Sequence, residues 1–349
     1  MDLHTIQTAQ GAAFAPDSIP LHFGDQLAEY RAALEAAVLL DRSHEARLLM
    51  TGSTAVDLLH RISTNDLNGM PVGIGRPTVL VNANARILDR IKVFRREADL
   101  LVLGEPGRGN PLRTYLQRNI FFGDDVQLKD LSAETKQFDL HGPQADEVIR
   151  HAAPEAAILE EFQGSTATIA GADVYITRRK PVSAQRWTIV TPVEQAGKVW
   201  QALADAGARP AGSLIYNVLR VRAGLPSVGR ELSEQFIPLE VGLWDEVSFT
   251  KGCYTGQEII ARMESRNRLA KTMVMLQPDA VISAPATIYA EGRQVGQLTS
   301  SVTAPDGELF ALGVVKPDFA EAGQTLEIGE QRVRAQVKAL PEGSRREIR

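Results

Sequence analysis

Lys251-Gly252-Cys253-Tyr254-Thr255-Gly256-Gln257-Glu258 puts an ammonium, a thiol, a phenol and a carboxylate within eight residues. Thr255 and Glu258 form a T-x-x-E capping box, which predicts a helix opening directly after Thr255 and running through Arg262. Cys253 then falls in the last tight turn before a helix N-terminus. There the partial positive charge of the helix end and Lys251, two residues away, both favour thiolate over thiol. Gly252 and Gly256 allow a backbone or a ligand to approach closely. The same features also suit a small buried cysteine beside a helix cap, structural and inert, and the local pattern leaves both readings open.

A second group lies between Asn82 and Lys92. In a strictly alternating strand Arg86, Arg90 and Lys92 share one face, while Asp89 and Ile91 share the other. This is either a solvated face or an anion-binding wall, with Asp89 placed to take or orient a proton. Arg220 and Arg222, in Leu219-Arg220-Val221-Arg222-Ala223-Gly224-Leu225-Pro226, read in the same two ways: a basic strand edge, or a clamp for a carboxylate.

Other chemistries lack their residues. One cysteine among 349 residues excludes an intrachain disulfide, a CxxC redox motif and a self-sufficient four-thiolate metal site. The six histidines never recur at HxxxH spacing, so no metal site is expected. Neither GxGxxG nor GxxxxGK[ST] is present, so Gly73, Gly75, Gly104, Gly107 and Gly109 read as turns. GxSxG is absent as well. A formal net charge of -5 argues against general nucleic-acid binding. The richest apolar run, Ala32 to Leu40, is broken by Glu35 and falls short of the roughly 18 to 20 residues of a membrane span. Asp2 and the lack of Lys or Arg before Arg31 argue against a secretory or transit leader, which predicts a cytoplasmic protein.

The elements that must position these residues are mixed rather than regularly alternating. Asp25 to Leu40 has helix-forming composition, and Ser53 can cap a short helix through Ile62. Thr191-Pro192-Val193-Glu194 predicts a helix capped at Thr191 and ended by Gly207. Strand-like runs cover 78–81, 87–94, 100–103, 137–140, 166–169, 174–177 and 187–190. An α+β arrangement with antiparallel sheets follows, rather than a doubly wound parallel sheet. After Arg268 only short runs separated by turn residues remain, the pattern of a small closed β-barrel or sandwich. The chain therefore divides at 1–267 and 268–349, with Pro341 to Arg349 expected to fray.

KGCYTGQE resembles the signature of the YgfZ-type folate-binding proteins, relatives of the glycine-cleavage T-protein (aminomethyltransferase) that include the mitochondrial iron-sulfur assembly factor. The likeness extends through Asp41-Arg42-Ser43, Gly52 to Leu58, Thr64-Asn65-Asp66, Asn82 with Arg86-Ile87-Leu88, Arg220 to Pro226, Pro238-Leu239-Glu240 and Gly296 to Ser301. It implies a T-protein-like ring: two ferredoxin-like or related α+β subdomains and a C-terminal antiparallel β-barrel around a hole that holds tetrahydrofolate. It implies Cys253 and Lys251 as the active pair, with Asp89 as a base. Asn82, Arg86, Arg220, Arg222, Tyr254, Gln257, Glu258 and Arg262 would be folate contacts, with Arg90 and Arg266 as further cations for the glutamate tail. Two positions depart from the T-protein: its paired aspartates are Asp89-Arg90 here, and its Leu-Arg-x-Glu-Ala-Gly carries Arg222 in place of the glutamate. An arginine cannot accept the N–H donors of a pterin. The resemblance thus implies a tetrahydrofolate-binding accessory protein for iron-sulfur cluster assembly or repair, with client or assembly proteins as partners. A folate-dependent aminomethyltransferase and a non-catalytic folate sensor or scaffold are the alternatives.

Overall fold

The structure, a computed structural model, describes residues 2–265 and 269–338. Arg266 and the segment Pro341–Arg349 lie outside the described residues. The chain forms two compact units, each assembled from separated stretches: 1–58, 68–76 and 92–216 in the first, and 59–67, 77–91 and 217–349 in the second.

The first unit is built on a six-stranded sheet in the order 164–169, 172–178, 185–192, 135–142, 38–41 and 209–211, antiparallel except for the last pair. Period-two alternation sorts its residues. Phe138, Leu140, Trp187 and Ile189 join Leu39 in an apolar core with Val148, Ile149, Val199, Trp200 and Leu203 from the helices Ala145–Ala152 and Ala196–Asp205. The alternate residues Asp139, His141, Arg186 and Thr188 are polar and yet buried. Burial is tolerated because the charges are paired. Asp139 accepts from Arg186 Nε at 3.0 Å and Nη2 at 2.6 Å, and from Thr188 Oγ1 at 2.7 Å. Beside them Arg42 binds Glu45 at 2.7 Å and lays its guanidinium 3.8 Å from the Tyr216 ring centroid. A second antiparallel set in this unit joins Lys92–Arg95 to Leu100–Leu103, then Glu45–Thr51, then Gln127–Asp130.

The second unit carries the closed barrel. Its six antiparallel strands follow in the order 272–278, 309–315, 293–303, 286–290, 325–328 and 333–337, returning to 272–278. Val274, Leu276, Ile288, Leu298, Ala311, Leu326, Ile328, Ala335 and Val337 fill it. The alternate residues Met273, Leu312 and Val314 pack instead on Val79, Val81, Ile87, Val221, Phe236 and Val241. One strand set thus serves two cores. The α+β class and the terminal barrel expected from the sequence are both present.

Three local expectations differ from the fold. The helix in 25–40 covers only Gln26–Glu35, and the apolar residues beyond it form the strand Val38–Asp41. Thr191 and Pro192 end a strand, and the α-helix begins at Ala196 after a 3-10 turn, because Pro192 keeps an extended ψ of 141°. Arg220 and Arg222 sit in the last turn of a helix, Ser213–Arg222, not on a strand edge.

His141 is fully buried with neither ring nitrogen hydrogen-bonded, and its Nε2 stands 3.6 Å from Asp139. Burial pulls its pKa down to about 4 from 6.5; Arg186 and Arg42 act in the same direction and Asp139 opposes them. The unfolded chain therefore binds the proton more readily, and stability falls as pH drops from about 6.5 through about 4. Glu45, held near 2 against its burial chiefly by Arg42, loses its contribution as pH falls from about 4.5 through about 2, mostly below that window. His44, lowered to about 4 by burial and Arg42, adds a drop in the same window, so His141→Leu should remove its own share, on the order of 3 kcal/mol by pH 4, and leave a shallower slope. Urea unfolding across that range checks it, and an unchanged slope in the variant would contradict it.

Candidate functional site

Arg220 and Arg222 lie on the helix Ser213–Arg222, whereas the sequence-selected residues at 82–90 and 251–262 fall on or beside two loops. The first is the turn Asn82–Arg86, which joins the strands Gly75–Val81 and Ile87–Arg95. Asn82 Oδ1 accepts from the N–H groups of Asn84 at 2.9 Å and Arg86 at 3.1 Å, and the Ala85 N–H donates to Asn82 O at 2.8 Å. Ala85 is left at φ 57° and fully buried. The second is the segment Lys251–Gly256.

Gly256 joins the two loops. A Cβ on it would lie 2.9 Å from Asn82 O and 3.0 Å from Ala85 Cα, and its φ is +81°. Only glycine meets both requirements without strain. This conformation also moves the helix start: the helix runs Gln257–Ser265, one residue later than the Thr255 cap predicts, because left-handed Gly256 cannot be its first residue. Tyr254 is buried beside Ala85, Ile237, Leu239, Val247 and Ile260, with Trp244 and Phe249 against the same cluster. Burial pushes its phenol up to about 12. Cys253, between buried Lys251 and buried Tyr254, is exposed. Gln257 is half-buried, whereas Glu258 and Arg262 are exposed.

Lys251 is 7% exposed. Its Nζ donates to the carbonyl oxygens of His60 at 2.5 Å, Ser63 at 2.7 Å and Asn65 at 2.9 Å, and stands 4.9 Å from the Tyr254 ring centroid. Burial lowers its pKa to about 8, with Asp66 opposing. Neighbouring bonds join the same two stretches: Thr64 Oγ1 donates to Glu246 O at 2.7 Å and Asn65 Nδ2 to Asp245 O at 3.3 Å, while the Ser248 N–H donates to Thr64 O at 2.9 Å.

The arginines are bound internally. Arg90 Nε donates to both Glu246 oxygens, at 3.0 and 2.9 Å, and its Nη2 also reaches Glu246. Arg86 Nη1 donates to Gln235 O at 2.9 Å and lies 3.6 Å from Glu240, whose carboxyl burial pushes up. Buried Arg220 reaches Ser300 Oγ at 3.1 Å, Asn217 Oδ1 at 2.9 Å and Glu231 at 3.5 Å, and Ser300 in turn donates to Glu231 at 2.6 Å. Arg222 stacks on Phe310, 5.5 Å from the ring centroid. In the first unit, Lys92 donates to Glu105 at 2.6 Å. Asp89 is buried on the strand face shared with Ile87 and Ile91, as the alternation predicts, and accepts from the Arg90 N–H at 3.0 Å. Glu231, Glu246 and Trp244 were not singled out from the sequence. Glu246 stands 156 residues from Arg90, so no local spacing announces the pair. Among the described residues no group of three or more His, Cys, Asp or Glu could hold a metal ion, and no helix is long and apolar enough to cross a membrane.

Gly256→Ala should cost about 1–3 kcal/mol from its φ alone, and more from displacing the Asn82–Ala85 turn. Thermal unfolding of the variant checks it; a melting temperature within a degree of the parent would refute the tight-joint assignment.

The GCVT N-terminal domain matches residues 2–251, and the glycine cleavage T-protein C-terminal barrel domain matches 271–342. An aminomethyltransferase of Desulforamulus reducens is 28% identical over 338 residues, covering 93% of this chain and 92% of its own. A chloroplastic protein of Arabidopsis thaliana, provisionally named a transferase, is 29% identical over 330 residues, 94% of this chain and 76% of its own. The crystal structure of the glycine cleavage system aminomethyltransferase T of Bartonella henselae superposes with a TM-score of 0.85 at 23% identity, covering 98% of this chain and 97% of the other, a likeness of fold. With the N-terminal family domain spanning most of the chain and the barrel domain following it in order, the protein belongs to the glycine cleavage T-protein family.

Proposed function

We propose that this chain binds tetrahydrofolate or a derivative of it and serves as an accessory protein in iron-sulfur cluster assembly or repair, with Cys253 as its working thiol. The observation that carries the reading is the exposed Cys253 held between two buried anchors, Lys251 and Tyr254. A thiol meant only to fill a core would be inside. One thiolate supplies one of the four ligands a cluster needs, so contact with a cluster would be transient and completed by a partner.

The residues present fit folate in kind. Trp244, Phe249 and Tyr254 give aromatic surface, and the buried Trp244 indole N–H has no hydrogen-bond partner, a donor suited to a pterin carbonyl. Exposed Arg262 is a cation of the sort a glutamate tail needs. Arg86, Arg90 and Arg220 have internal carboxylates close by, which weakens their case as tail contacts.

A specific observation favours a second reading, a folate-dependent aminomethyl or one-carbon transferase. Asp89 is a buried carboxylate on the strand leaving the Asn82–Arg86 turn, placed to act as a base, and relatives in the family are aminomethyltransferases. The neighbouring Arg90–Glu246 pair and Arg222 weigh against it, since both stand where the T-protein pattern has acids.

Calorimetric titration of the full-length protein with tetrahydrofolate should show saturable binding, and no heat or shift at millimolar ligand would refute the folate assignment. In cells, Cys253→Ser should reduce the activity of client iron-sulfur enzymes severalfold while its melting temperature stays near the parent's. Full client activity would sink the accessory reading. Formation of methylenetetrahydrofolate from an aminomethyl donor, abolished by Asp89→Asn, would select the transferase instead.

A further inference from the structure

We propose that Lys251 is a positioning residue: its ammonium pins both flanks of the Cys253 turn to the carbonyl-bearing end of the helix Ala55–Ile62 and the loop after it, and thereby fixes how the thiol is presented. The inference rests on the reading of Cys253 as the working thiol.

Hydrogen-bond arithmetic comes first. A lysine ammonium has three N–H donors and no acceptor, and Lys251 finds three carbonyl oxygens, those of His60, Ser63 and Asn65, at 2.5–2.9 Å. A neutral amine has two N–H groups and would leave one carbonyl unserved. The acceptors are also of the right kind. His60 lies in the last turn of its helix, where carbonyls lack intrahelical partners and the helix end is negative. Cys253 is the only residue with a reactive thiol on the turn, yet the ammonium it follows points inward, away from the role of a ligand contact.

The turn closes on that same ammonium from its other side. Tyr254, the residue after Cys253, sets its ring centroid 4.9 Å from Lys251 Nζ. Gly252 and Cys253 are thus the exposed tip of a loop whose two ends meet at one buried charge. Among the described residues, no atom beyond its chain neighbours lies within 4 Å of a Cβ built on Gly252, so open space surrounds that side of the tip. The backbone on the N-terminal side is secured independently, by Ser248 N–H to Thr64 O and by Lys251 N–H to Ser248 Oγ at 3.2 Å. Loss of the ammonium would therefore release the tip while leaving the segment before it in place.

The charged and polar groups near the ammonium are Asp66, whose carboxylate lies 3.2 Å from His60 Nδ1, and the Tyr254 phenol. The restraint on the tip therefore rests on three hydrogen bonds and one ring contact, all made by the same ammonium.

Because Cys253 is the sole cysteine, a thiol-specific nitroxide label reports on this turn alone. The spectrum of the labelled full-length protein should be immobilised. Labelled Lys251→Met should be mobile, and Lys251→Arg, which keeps the charge and the donors, should restore the immobilised spectrum. A Lys251→Met spectrum that matches the parent's would overturn the proposal. If Lys251→Met does not fold, Lys251→Gln, which keeps two N–H donors without the charge, takes its place, and a spectrum as immobile as the parent's would overturn the proposal. None of these readouts needs folate or a client enzyme, so they fail separately from the titration and the Cys253→Ser experiment.

Discussion

A charge taken out of water must be given partners, and in the second unit that constraint determines where the candidate chemistry stands. The Lys251 ammonium costs free energy to bury, and three carbonyl oxygens with a phenol ring offset the cost. Those carbonyls belong to residues 60–65, so the lysine that precedes the cysteine also joins two stretches almost 190 residues apart in the chain. From the same stretch Thr64 and Asn65 donate to the carbonyls of Glu246 and Asp245, and the Ser248 N–H donates back to Thr64 O, so several bonds tie the two stretches together. Gly256 adds a second joint, to the Asn82–Ala85 turn, through an approach that no side chain could share. Loop residues carry the reactive groups, but these contacts make the loops parts of a rigid frame.

The arginines obey the same rule. Arg86, Arg90 and Arg220 all stand close to buried carboxylates, of Glu240, Glu246 and Glu231. For the buried pairs of Arg90 and Arg220, removing one partner leaves an uncompensated charge at a cost of roughly 3–5 kcal/mol, whereas the Arg86 side chain is water-exposed and its pair is worth far less. A ligand that took the Arg90 or Arg220 guanidinium for itself would have to meet part of that cost. The arrangement therefore orders the strands and the helix end, and leaves Arg262 among the cations that water reaches. The first unit uses the device in a purer form, where Asp139, Arg186, Glu45 and Arg42 form paired charges on the buried polar face of its sheet.

What could be read from the sequence depended on the range of the interaction. Period-two alternation announces the barrel strands and places Asp89 on the inward face and Arg90 on the outward one, because strand geometry is local. The octapeptide stands out because its glycines and its capping residues are adjacent. The interleaving of the units is not announced: residues 59–67 and 77–91 join 217–349 through contacts that leave no composition shift behind. Arg220 and Arg222 read equally well as strand or helix, since two arginines two apart carry no period, and the helix is decided by Ile215, Leu219 and the other buried residues on its inner side. Thr191 and Pro192 imitate a helix start, yet cross-strand pairing of Thr191 with Lys136 and Pro192 with Thr135 outweighs a local cap. Lys251 reads as a group facing a ligand because its three acceptors are backbone atoms, which no residue type advertises.

The two departures from the T-protein pattern acquire physical content from their surroundings. An arginine following Asp89 does not simply add positive charge, because Glu246 neutralises it through a two-oxygen contact with Nε. What the T-protein pattern has there is a second acid, and in its place stands a cation with a carboxylate partner of its own. Arg222 is likewise a planar cation laid against the Phe310 ring at the end of its helix, a place that suits a guanidinium and would repel a glutamate. Each arginine is thus built into the second unit by a partner of its own, Glu246 or Phe310, and the family's frame is kept with cations where the T-protein pattern has acids.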